Sequence, residues 1–204
     1  AVEKCLKMIE NTYADVAKYQ DACGIALTEE DALRLKAEGK KAFFLGIENG
    51  YAIGKDIKNV KKFKDMGIQY MTLSHSYDND ICNSSSHTED ASKGLTAFGR
   101  KVVKEMNKVG MMIDVSHVSE GTFWDVIKYS KDPIFASHSS VKALCDHDRN
   151  LTDDQLRALA KNGGVIQICI YDGYLNNDAK IASVDDVVKH IDHAVKVAGI
   201  DHVG

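Results

Sequence analysis

The sequence predicts an α/β fold of the (β/α) barrel type: a TIM barrel of the metal-dependent hydrolase kind, with its first and last strand regions missing from this chain. Three observations carry that prediction. From Lys41 onward, short apolar runs alternate with amphipathic stretches of helical spacing, the pattern of parallel strands joined by helical crossovers. The run Val165-Ile166-Gln167-Ile168-Cys169-Ile170 is apolar almost throughout, as expected of a strand covered by helices. No GxGxxG follows any strand, which argues against an open dinucleotide-binding sheet. Five complete strands and the start of a sixth are legible in 204 residues, whereas a closed eightfold barrel takes about 250.

Residues 1–40 read as a helical segment packed on a partial barrel of residues 41–204, in one domain. Cys5, Leu6, Ile9, Tyr13, Val16 and Ala17 recur at helical spacing, so a helix is expected over 3–23, closed by Gly24. Thr28 caps a second helix, with Glu30 and Asp31 in its first turn and Gly39 as its stop. Residues 42–48 form a strand, 56–67 a helix, and 68–75 a strand. A polar insertion, 76–94, precedes a helix over 95–110. A β-α-β unit then runs from Met111 to Ser140, with its two apolar runs ending at His117 and His138. Thr152 caps the next helix, where Asp153 and Asp154 suit the helix dipole. A strand over 163–171, a helix over 183–199 and the beginning of a last strand from Ile200 complete the chain.

Composition excludes several classes. An apolar fraction of 44% with 27% charged residues is that of a soluble globular protein, and a chain this long can bury a sizeable core. A formal charge of −4 with scattered basic residues leaves no footprint for nucleic acid. No apolar run approaches the ~20 residues of a transmembrane segment, and the amphipathic first residues do not resemble a targeting signal. Cys5, Cys23, Cys82, Cys145 and Cys169 form no CxxC pair and are expected to be mostly free thiols, with Cys169 inside a buried strand. Localisation stays open among the cytoplasm and the bacterial periplasm or exterior.

In a barrel the chemistry sits where strands stop. Four consecutive predicted strands end in Glu48, His75, His117 and His138. Strand alternation puts Glu48 on the face of Phe44 and Gly46, His75 with Met71 and Leu73, His117 with Ile113 and Val115, and His138 with Ile134 and Ala136. Imidazole nitrogens with a carboxylate oxygen suit zinc with a position open for water, and a carboxylate can bridge two ions. Ser116, Ser119, Ser137 and Ser139 are then turn and cap residues rather than nucleophiles. His190 and His193 are expected to flank a solvated helix edge, and His87, His147 and His202 show no partner pattern.

The segments Gly46–Gly50, Tyr70–His75, Leu95–Ser119, Ile134–Ser140 and Asp148–Leu156 resemble the membrane (renal) dipeptidase family of zinc metallopeptidases. The likeness spans roughly residues 42–204. It implies an amidohydrolase-like TIM barrel that hydrolyses dipeptides by a metal-bound hydroxide at a dinuclear zinc site. It further implies that Glu48 bridges both zincs, that His117 and His138 complete one site, and that His75 contacts the substrate near the scissile bond. Arg149 would clamp the free carboxylate of the dipeptide, a role its planar guanidinium suits independently. The family holds its other zinc by an HxD motif on the first strand, and no HxD lies ahead of Glu48. The family's aspartate on the last strand would follow the end of this chain, so one full zinc ligand set is expected here. Hydrolysis of another amide or a lactone is the alternative chemistry. A catalytically incomplete barrel, its unpaired edges inviting a homodimer, is the non-enzymatic one.

Overall fold

The computed structural model describes residues 1–88 and 90–204; Glu89, within the polar insertion, lies outside the described residues. The predicted α/β architecture is present. A five-stranded all-parallel sheet runs in sequential order through β3 (Leu45–Glu48), β4 (Ile68–Thr72), β5 (Met112–Asp114), β6 (Phe135–Ser139) and β7 (Val165–Ile168). Its crossovers are α3 (Lys58–Asp65), α4 (Ala97–Val109), α5 (Glu120–Tyr129) and α6 (Asp153–Lys161). Sequential parallel order with one helix per crossover is the winding of a barrel wall. After α7 (Asp172–Leu175) and α8 (Val184–Ala198), a 3₁₀ turn over Ile200–His202 delivers Val203 to a parallel bridge with Ile166, where the expected last strand begins.

Helix ends follow the side chains that cap them. Thr96, Ser119 and Thr152 accept from Gly99 N, Thr122 N and Gln155 N, and Gln155 returns a bond to Thr152 N at 2.9 Å as a capping box. The core lies between sheet and helices. Ile47, Met71, Ile113, Ala136 and Ile166 pack there with Phe63, Val103, Met106, Phe123 and Leu156. Each of these side chains except the small Ala136 contributes about 1.5–3 kcal/mol of burial.

The N-terminal segment departs from expectation. The first helix, α1 (Val2–Lys18), ends before Gly24, and Cys23–Ile25 forms β1, paired in parallel with β2 (Lys41–Phe43). Gly24 serves packing rather than helix termination, since a Cβ there would lie 2.8 Å from Leu35 Cδ2 of α2 (Glu29–Ala37). The single strand expected over 42–48 is two strands, because the chain changes sheets at Phe44. Cys169 lies just beyond β7 and is half-buried, and all five cysteines are free. His190 is buried rather than at a solvated edge: its Nδ1 accepts from Val141 N at 3.0 Å and its Nε2 donates to Leu175 O at 3.0 Å. Among the described residues, no helix is long and apolar enough to cross a membrane.

Candidate metal centre

The four strand-end residues come together at the C-terminal ends of β3–β6. Glu48 Oε1 lies 3.2 Å from His117 Nε2, 3.3 Å from His138 Nε2 and 3.7 Å from His75 Nε2. The His117 and His138 Nε2 atoms are 2.8 Å apart, and the His75 ring stacks on that of His117 at 4.1 Å between centroids. Glu48, His75 and His117 also present ligand atoms within 4.8 Å of one another. His117 is buried, while the Glu48 side chain is 52% exposed.

Strand alternation explains only Glu48. A Cβ on Gly46, two residues earlier, would meet the Tyr70 ring, so Gly46 and Glu48 share the face opposite the helices. Met71, Ile113, Val115 and Ala136 belong to the helix-side core, so they do not mark the face of the histidines, contrary to the alternation argument. Strand β5 stops at Asp114, and His117 lies beyond it at φ +69°. Its carbonyl accepts from Ser85 N at 2.8 Å and from Ser74 Oγ and Ser84 Oγ at 3.3 Å. Ser84 Oγ also bonds the His75 carbonyl, so the polar insertion ties two of the histidine backbones together. His138 owes its position to a bulge: Ala136 pairs with Ile166 and Ser139 with Ile168, three residues against two. A bulge of this kind re-aims side chains.

Beneath the centre is a residue the sequence reading passed over. Asp114 is fully buried and accepts from Thr72 Oγ1 (2.6 Å), Ser116 N (2.9 Å), Ser137 N (3.0 Å) and Ser137 Oγ (2.6 Å). Ser137 Oγ lies 2.7 Å from His138 Nδ1. An acid inside the apolar run Met111–Val115 was the available signal, since carboxylates are seldom buried without a dedicated partner set.

Burial, and then the nearby Arg149 charge, hold both imidazoles neutral, with His117 pushed down to about 2 and His138 also lowered. Arg149 is buried, donates from Nη2 to His138 O at 2.9 Å, and lies over the Tyr174 ring at 5.2 Å. Arg149 Nε and Ser85 Oγ have no hydrogen-bond partner among the described residues, and both residues line one cavity of about 70 Å³ beside His117. Two neutral imidazoles and a carboxylate turn Nε2, Nε2 and Oε1 to one point, the nitrogen and oxygen donor types that a metal ion takes. The donor set therefore fits a metal ion.

The sequence pattern of Membrane dipeptidase (Peptidase family M19) matches residues 1–204. The chain belongs to this family. Among its relatives, an uncharacterized dipeptidase of Schizosaccharomyces pombe is 35% identical over 207 residues, covering 100% of this chain and 50% of that protein. Dipeptidase tcpJ of Claviceps purpurea is 36% identical over 186 residues, covering 91% of this chain and 44% of that one. The chain thus spans about half the length of these curated relatives. An amidohydrolase from Pseudomonas aeruginosa superposes with a TM-score of 0.93 at 27% identity, covering 100% of this chain and 62% of the other. A metallopeptidase from Rhodobacter sphaeroides, solved with a phosphinate mimic of the dipeptide L-Ala-D-Ala, gives 0.90 at 26%, covering 98% and 59%.

Proposed function

We propose that this membrane dipeptidase family chain carries one zinc site of a dinuclear dipeptidase, with Glu48, His117 and His138 as its ligands. The observation that carries the reading is the convergence of Glu48 Oε1 with the Nε2 atoms of His117, His138 and His75 at 3.2, 3.3 and 3.7 Å. Glu48, half exposed on the open side, is the carboxylate free to bridge to a second ion. When bound, zinc lowers the pKa of water and polarises a carbonyl.

The chain's own groups position the substrate. His75, stacked on His117, directs its Nε2 to the scissile carbonyl. Arg149, whose Nε lacks a partner among the described residues, receives the free carboxylate of the dipeptide. Its burial keeps water from competing for that contact. The phosphinate dipeptide mimic held by the Rhodobacter sphaeroides relative supports a dipeptide as the substrate class.

The test is hydrolysis of a dipeptide panel, set beside other amides and lactones, by the full-length protein with and without chelator. Dipeptide turnover should stop on chelation and return with zinc. His75→Ala should lower kcat by about 10²–10³-fold, the loss typical of one transition-state donor, while zinc is retained. Dipeptide turnover indifferent to chelator would refute the reading, and turnover of lactones alone would replace it.

A further inference from the structure

We infer that Asp114 is a positioning residue that sets the tautomer of His138 through Ser137, so that His138 presents an unprotonated Nε2 to the centre. Its consequence for metal rests on the zinc reading above; its geometry does not. An ionised carboxylate only accepts hydrogen bonds, so Thr72 Oγ1 and Ser137 Oγ, each 2.6 Å from Asp114 Oδ2, must both direct their single protons to it. Ser137 Oγ then turns only lone pairs toward His138 Nδ1 at 2.7 Å, and Nδ1 must carry the imidazole proton. In a neutral ring that leaves the lone pair on Nε2, the atom 3.3 Å from Glu48 Oε1.

The other bonds of Asp114 keep this chain of contacts in register. Ser116 N and Ser137 N donate to Oδ1 at 2.9 and 3.0 Å, and Ser116 Oγ accepts from His138 N at 3.0 Å. Thr72 belongs to β4, Asp114 to β5, and Ser137 and His138 to the bulged part of β6. One buried acid thus fixes both where the His138 ring stands and which nitrogen is bare.

Asp114→Asn tests this with little change of shape. The amide oxygen can keep the two backbone donors, while the amide nitrogen becomes a donor to Ser137 Oγ. The Ser137 proton then turns to His138 Nδ1 and moves the imidazole proton to Nε2. Histidine ¹⁵N chemical shifts in the metal-free full chain should report Nδ1–H at His138 in the parent and Nε2–H in Asp114→Asn. Zinc affinity should fall by about 10–100-fold, the usual cost of losing a partner of a ligand. A purely structural role for Asp114 would not move the tautomer. Ser137→Ala, which cuts the link without reversing it, should give a mixture of tautomers and decides the matter if Asp114→Asn does not fold.

An unchanged Nδ1–H form in Asp114→Asn, or a pure Nδ1–H form in Ser137→Ala, overturns the inference. A tautomer that flips in a protein that binds no zinc upholds it and overturns the metal reading instead.

Discussion

His117 carries a Cβ at φ +69°, in a left-handed conformation that costs an L-residue about 1–2 kcal/mol. Three donors to its carbonyl, from Ser74, Ser84 and Ser85, hold it there, so the surroundings impose the conformation. His117→Gly should therefore unfold at higher urea than His117→Ala in metal-free protein, by about 1 kcal/mol, although both lose the ring. Equal stability, or the reverse order, in urea titrations would show that the backbone is not strained. The convergence of Glu48, His75, His117 and His138 was legible because polar groups ended four successive apolar runs. The conformation of His117 was not, since the Ser74 and Ser84 hydroxyls that support it come from distant chain. Asp114 escaped because its partners, Thr72 and Ser137, lie 42 and 23 residues away.

Helix starts were legible where a capping side chain marks them, whereas Gly24 misplaced the end of α1. Thr28 and Thr152 cap, as their hydroxyls and neighbouring acids foretold, and Ser119 is the cap its hydroxyl suggested; Thr96, with no acid in the first turn, caps as well. Breaks set by pairing were hidden: the sheet change at Phe44 and the bulge at Ser137 and His138 depend on which strand lies alongside. In α8, Asp186, His190 and Ala194 form the buried stripe, a polar pattern that hydrophobic periodicity misreads as an edge. Burial lowers the His190 pKa, and its bond from Val141 N requires a bare Nδ1, so the folded form resists protonation. The unfolded chain takes up that proton below about pH 6.5 and thus binds more protons than the folded one. Stability should be complete above this value and decline as pH falls below it. Urea midpoints at pH 7.5 and 5.5 should differ in that sense, and less so in His190→Gln; a midpoint that rises on acidification would contradict the neutral buried ring.

At the scale of the whole molecule, the wall of five strands leaves the outer edge of β3 unpaired among the described residues. A groove of about 580 Å³, lined by Met8, Ile9, Leu45 and Glu48, lies between α1 and that edge. Glu48 therefore stands at the margin of the wall, with His117 and His138 further in, on segments distant in sequence. A metal held by all three would join β3, the turn after β5 and β6, and would bind only the folded arrangement. Its stabilisation grows as RT ln(1 + [Zn]/Kd), or about 2.7 kcal/mol at a hundredfold excess over Kd. For a chain of this size that is a rise of about 5–10 °C in Tm. Thermal melts should climb with added zinc and fall back with chelator, while His138→Ala, deprived of one ligand, should melt at one temperature in both conditions. An equal zinc shift in the variant would place the ion elsewhere on the molecule, and no shift in the parent would mean that Glu48, His117 and His138 hold no zinc.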